Sequence, residues 1–183
     1  MIVTRRRVLR IGGVVLAGLA GTASGSTGGA AEIAMRGNED GSDVWYDPVG
    51  LHVRPGQTIR WTNHDAGNAH TATAYHPHHA GRPARMPPDA VPWDSDYLLP
   101  GESFAVTLLV EGVYDYFCLP HEPAGMVGRI VVGSPPVAGP PPGDVPGVFP
   151  SVEQILREGS VRRSRTAAAL RRRREHFVAS CIS

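Results

Sequence analysis

Long apolar runs are missing from this 183-residue chain: no stretch reaches the roughly 18 consecutive apolar residues that a secure membrane-spanning helix needs. Cysteine is nearly missing too. Only Cys118 and Cys181 occur, which excludes a scaffold stapled by several disulfides and leaves at most one internal bridge, the ordinary fate of a cysteine pair in an exported chain. Lysine is absent; all 18 basic side chains counted as Lys+Arg are arginine, a compositional bias that carries no functional weight. Aromatic residues are a modest 7%, whereas Gly (22) and Pro (17) are frequent. That balance disfavours a helical bundle and suits one loop-rich β domain with additional segments.

The formal net charge of +1 hides a segregation. Residues 32–150 carry 14 acidic side chains against 6 arginines, while residues 151–183 carry 8 arginines against 3 glutamates. At the N-terminus, Arg5-Arg6-Arg7 precedes a short apolar, glycine-rich stretch from Ile11 to Ala20. This pattern is that of a twin-arginine export signal spanning residues 1–31, with cleavage expected between Ala23 and Ala31. The expected location is therefore periplasmic or otherwise extracytoplasmic.

Residues 32–133 read as strands separated by turn signals at β-sandwich spacing. The candidate strands are 32–35, 44–53, 58–62, 70–75, 104–110, 113–117 and 127–132, and their alternation nominates Leu51, Val53, Ile59, Trp61, Val106, Leu108, Val110, Tyr114, Tyr116, Ile130 and Val132 for the core. A Pro- and His-rich stretch, 76–99, reads as a loop or short helix folded against the sandwich. Residues 134–150, with Pro-Pro and Pro-Pro-Pro, read as a stiff linker. Ser151-Val-Glu-Gln154 is a capping box opening a basic helical or partly disordered tail, 151–183, interrupted at Gly159. Such a tail suits solvent, an anionic membrane surface or an acidic partner.

The chemistry concentrates in Tyr116-Phe-Cys118-Leu-Pro-His121-Glu-Pro-Ala-Gly-Met126, a C-x2-H-x4-M order between two strands. A thiolate, an imidazole and a thioether on one tight loop suit copper. Cys and Met favour Cu(I), imidazole accepts both oxidation states, and a trigonal His2Cys set with a long axial Met serves either. The loop holds a single histidine, so a second must come from elsewhere. His70 opens a strand after a turn-rich segment and is the first candidate; His64, inside that turn, is the fallback. The cluster His76-Pro-His78-His79 is a candidate for a second metal.

Residues 44–133 resemble the cupredoxins of the plastocyanin, pseudoazurin, amicyanin and halocyanin group. The resemblance rests on the stretch from Asp47 to Asn63, on His70-Thr-Ala-Thr-Ala, and on Val113-Tyr-Asp-Tyr-Phe-Cys-Leu-Pro-His-Glu-Pro-Ala-Gly-Met-Val-Gly-Arg-Ile-Val-Val132. It implies an all-β Greek-key β-sandwich with one type 1 copper at one end, bound by His70, Cys118, His121 and Met126, and His121 as the electron port. Three departures stand out. Thr71 occupies the place of an asparagine that braces the plastocyanin ligand loop, Phe117 the place of a tyrosine on their remote electron route, and the stretch His76 to Leu99 replaces a short plastocyanin connection with an insertion expected to cover part of the site.

The implied function is non-enzymatic one-electron transfer by Cu(I)/Cu(II) cycling, performed by a monomer between membrane-associated redox proteins and without nucleic acid. A hydrophobic rim of Leu119, Pro120, Pro123 and Ala124 would form the contact, and the acidic body would steer a basic partner. Two alternatives belong to other classes. A domain of a copper enzyme would need further copper centres built with adjoining domains. A copper delivery or storage protein would use exposed Met or Cys clusters, and Met35 and Met86 are the only other internal methionines. Asn63 is expected to tie the His70 loop to the Cys118 strand, and each metal-bound imidazole to donate its second N–H to a fixed acceptor.

Overall fold

The computed structural model describes residues 29–38, 41–135 and 144–163. The export segment up to residue 28 and the tail from residue 164 onward, including Arg171 to Arg174, lie outside the described residues. The elements in chain order are β1 (Ala31–Gly37), β2 (Val44–Asp47), β3 (Gly50–Val53), β4 (Gln57–Asn63), β5 (Thr73–Ala74), β6 (Ser103–Leu108), β7 (Gly112–Phe117), β8 (Val127–Val132), α1 (Val152–Glu158) and β9 (Ser160–Val161).

They form two sheets, ordered β2-β1-β4-β6 and β5-β7-β8-β3-β9. Pairs β1·β4 and β3·β8 are parallel and the others antiparallel. The fold is an all-β Greek-key sandwich. The stretch 44–53, which alternates as one strand, is two: the chain leaves the first sheet at Asp47 and joins the second at Gly50. Pro48 lies at the crossing, where its missing N–H interrupts no ladder.

Two-residue alternation decides which side chains face inward. In β1 it buries Ile33 and Met35, and in β4 Ile59 and Trp61. Trp61 is fully buried at the centre, edge-on to Tyr116 at 5.3 Å and beside Trp93 at 5.8 Å. Val53, Ile59, Trp61, Leu108, Tyr114, Tyr116, Ile130 and Val132 are buried as expected. Leu51, Val106 and Val110 are only half-buried, Val106 because β6 is the rim of its sheet. The stretch 76–99 contains no helix. It lies along the sandwich through the bridges His70↔Leu98 and Thr73↔Asp94, and adds Trp93 and Leu98 to the core.

Residues 144–163, read from the sequence as the end of a linker and the start of a tail, are the described part of the chain after Ser134-Pro135. Residues 144–163 lie on the sandwich. Ser151 caps α1 by accepting the Gln154 N–H at 3.1 Å, and Gly159 ends it with φ of 72°. Val152 and Ile155 are buried against Val131 and Val161, and β9 pairs with β3. Gly50 permits the approach, since a Cβ there would fall 2.8 Å from Ile155 Cγ1 and 2.7 Å from Pro150 Cγ.

Phe149 is held between two guanidinium groups, Arg85 at 5.2 Å and Arg129 at 5.0 Å from its ring centre. Both arginines converge on the fully buried Asp115, and Arg129 also donates to the Pro150 carbonyl at 2.9 Å. Composition obscured this docking because a few apolar side chains sit among many prolines and arginines.

Ile155→Ala is expected to destabilise the domain by about 3 kcal/mol, the usual cost of emptying a fully buried isoleucine site. Urea denaturation checks it; a tail detached from the sandwich would leave the midpoint unchanged.

Candidate metal centre

The centre forms where two connections meet at one end of the sandwich. The first leaves β4 at Asn63, turns through 64–69 and delivers His70. The second runs from the end of β7 to the start of β8 and carries Cys118, His121 and Met126. It is closed by its own backbone: the Cys118 N–H donates to the Met126 carbonyl at 3.0 Å, the His121 N–H to the Cys118 carbonyl at 3.1 Å, and the Met126 N–H to the His121 carbonyl at 3.1 Å. Gly125 supplies the positive φ of 81° that this turn requires.

His70 and His121 direct their Nδ1 atoms at each other, 3.1 Å apart, and these lie 3.6 and 3.3 Å from Cys118 Sγ. The three candidate donor atoms all fall within 4.8 Å of one another. His70, Cys118 and Met126 are fully buried, while His121 is half-buried. The fallback His64 is exposed in its turn, so the structure separates the two candidates. His76 and His78 are neighbours, with ring centres 4.5 Å apart, but among the described residues the three-ligand group is His70, Cys118 and His121.

Electrostatics prepare these groups as neutral donors. Burial pushes the Cys118 thiol up to about 11, partly offset by the Thr71 N–H that donates to its sulfur at 3.3 Å. Burial lowers His70 despite the opposing Asp65 carboxylate, and lowers His121 with help from His70. Both shifts favour the uncharged imidazole, and a metal cation bound by the Cys118 sulfur would displace the thiol proton. Burial alone would raise Asp65, but bonds from Asn68, Gly67 and His70 outweigh it and hold this carboxyl below its ordinary range.

Thr71, in place of the asparagine, itself braces the loop. Its hydroxyl accepts the Leu119 N–H at 2.9 Å and meets the Thr73 hydroxyl at 2.8 Å, which donates onward to Asp94 at 2.9 Å. An ionised carboxylate only accepts, so the chain is ordered: Thr71 donates to Thr73 and keeps a lone pair for Leu119. Asn63 does not tie the His70 loop to the Cys118 strand. Its amide donates to the Asn68 and Leu98 carbonyls, each at 2.9 Å, and so joins that loop to the 76–99 stretch.

On the other flank, the fully buried Glu122 accepts the Tyr75 hydroxyl at 2.8 Å and pairs with Arg82. The 76–99 stretch therefore grips the ligand loop from both sides. The contacts made by Thr71, Asp65 and Glu122 were not legible in the sequence. The one signal available was Asp65 itself, a carboxylate in the turn leading to a candidate ligand, and it reads equally well as a turn former.

The donor chemistry fits copper. Two imidazole nitrogens and the Cys118 sulfur meet in a largely buried site, and the buried thioether of Met126 stands on the same closed loop. Comparison with known proteins agrees. Residues 32–133 match the family described as copper binding proteins, plastocyanin/azurin family. The chloroplastic plastocyanin of Tetradesmus obliquus is 35% identical over 128 residues, covering 69% of this chain and 81% of that protein. The chloroplastic plastocyanin of Chlamydomonas reinhardtii is 34% identical over 128 residues, covering 69% and 82%. Among solved structures, a pseudoazurin from Sinorhizobium meliltoi aligns over 64% of this chain and 86% of its own, with 28% identity and a TM-score of 0.45.

Thr71→Val is expected to cost about 1–3 kcal/mol by leaving the Leu119 N–H without an acceptor. Thr71→Ser should restore most of it. Denaturation midpoints of the two variants measured side by side check this, and equal midpoints would remove the brace.

Proposed function

The chain belongs to the plastocyanin/azurin family of copper-binding proteins, and from that premise we propose that it is an exported electron carrier whose metal is held by His70, Cys118, His121 and Met126. Its cofactor is a single type 1 copper ion. When bound, the ion supplies a one-electron Cu(I)/Cu(II) couple, which a mixed imidazole, thiolate and thioether set accommodates in both states.

The observation that carries this proposal is the convergence of the His70 and His121 Nδ1 atoms with Cys118 Sγ within 4.8 Å. The protein's part is to hold this set still. Cys118 and His70 exclude water, the closed ligand loop fixes three donors, and Thr71 fixes the fourth against them. A site whose donors need not move when charge changes presents a low barrier to electron transfer.

His121 is the side chain of the set that reaches toward solvent, beside exposed Pro120, Pro123 and Ala124 and half-buried Leu119. This apolar rim suits the small, weak contact of a transient redox complex. The acidic excess of residues 32–150 would attract a basic partner over distances limited by salt. Export by the twin-arginine route rests on Arg5-Arg6-Arg7 and the short apolar stretch behind it. No described helix is long and apolar enough to cross a membrane.

Copper-loaded protein should show an intense visible thiolate-to-Cu(II) absorption. Cys118→Ser is expected to abolish it, Cys181→Ser to leave it intact, and Met126→Leu to keep the colour while raising the reduction potential. Absorption spectra and potentiometric titrations check all three, and loss of colour on changing Cys181 would overturn the ligand set. Electron-transfer rates to a basic redox partner should fall as ionic strength rises; a flat dependence would remove the steering.

A further inference from the structure

Asp65 is a carboxylate where carboxylates are costly, 4% exposed and five residues before His70. Its Oδ2 lies 2.9 Å from His70 Nε2 and 2.9 Å from the Asn68 side-chain amide, and its Oδ1 accepts the Gly67 N–H at 2.9 Å. The Asn68 and Gly67 groups can only donate. An ionised carboxylate oxygen only accepts, so at this contact His70 Nε2 is the donor as well. Three donors on one side chain are satisfied by an anion and not by an amide.

The fold also makes room for this group. A Cβ on Gly37, at the end of β1, would fall 2.1 Å from Asp65 Oδ2 and 2.6 Å from its Cγ, so no other residue fits there while Asp65 stays in place. Gly37 thus leaves the space that the Asp65 carboxylate fills.

We propose that Asp65 is a positioning residue of the copper site: it fixes His70 as the Nε2–H tautomer with Nδ1 toward the metal, and its buried negative charge lowers the reduction potential by favouring the more positive oxidation state. A full charge one imidazole away from the metal, shielded from water, acts through a weakly screening medium. This inference rests on His70 being a copper ligand.

The test uses the full chain loaded with copper. Asp65→Asn and Gly37→Ala are compared with the parent and with Asp96→Asn, which removes the same unit charge from an exposed position. Asp65→Asn should keep the visible band and shift the midpoint potential upward. Gly37→Ala should shift it in the same direction with residue 65 unchanged, and Asp96→Asn should leave it near the parent value. In the metal-free protein, nitrogen NMR of the His70 ring should show one Nε2–H tautomer in the parent and a mixture in Asp65→Asn. Unchanged potentials in both Asp65→Asn and Gly37→Ala, with the band intact, would overturn the proposal, and so would a downward shift. Should Asp65→Asn fail to fold, Gly37→Ala decides. A parent that never develops the band would instead refute the ligand assignment.

Discussion

Three of the four proposed donors share one short connection, so the centre exists only if the fourth is brought to them from 48 residues earlier in the chain. Thr71 makes that join. Its N–H reaches the Cys118 sulfur, its hydroxyl accepts the Leu119 N–H, and its carbonyl accepts the Tyr46 hydroxyl at 2.5 Å from the opposite sheet. One residue therefore links the His70 segment, the ligand loop and both layers of the sandwich without any covalent crosslink. The ordered hydroxyls running on to Asp94, and the Tyr75 and Arg82 contacts on Glu122, make the same join harder to open from either flank.

Legibility in the sequence tracked how local each feature is. Cys118, His121 and Met126 lie within nine residues, and their spacing alone suggested a shared ion. Most of the sandwich was readable for a similar reason, since two-residue alternation reports which face a strand buries. His70 needed more: residue types could not separate it from His64, and burial did. Residue type alone left the source of the brace open at Thr71, because whether its hydroxyl accepts and donates at once depends on neighbours distant in the sequence. Residues 144–163 were misjudged because composition averages over a segment. Burial is decided by single side chains such as Phe149 and Ile155.

Ionised groups in the interior are expensive, and breaking one partner away costs more than the pair returns. Asp65, Asp115 and Glu122 are nevertheless all buried, each with cationic or donating partners. Asp65 flanks His70, Glu122 follows His121, and Asp115 anchors the arginines that hold Phe149 behind the ligand-bearing strands. Such placement serves geometry at the metal end more than overall stability. It also means that the acidic excess of the body overstates the charge a partner meets, because three of those carboxylates do not face water.

The five-stranded sheet is bounded by β5 on one side and β9 on the other, and each is only two residues long. A neighbouring chain seeking to add a strand would find too few free backbone groups in line to hold it. The returning C-terminal segment thus covers part of β3, a strand that would otherwise offer an open ladder. This termination limits edge-to-edge pairing at the sheet that leads into the metal end.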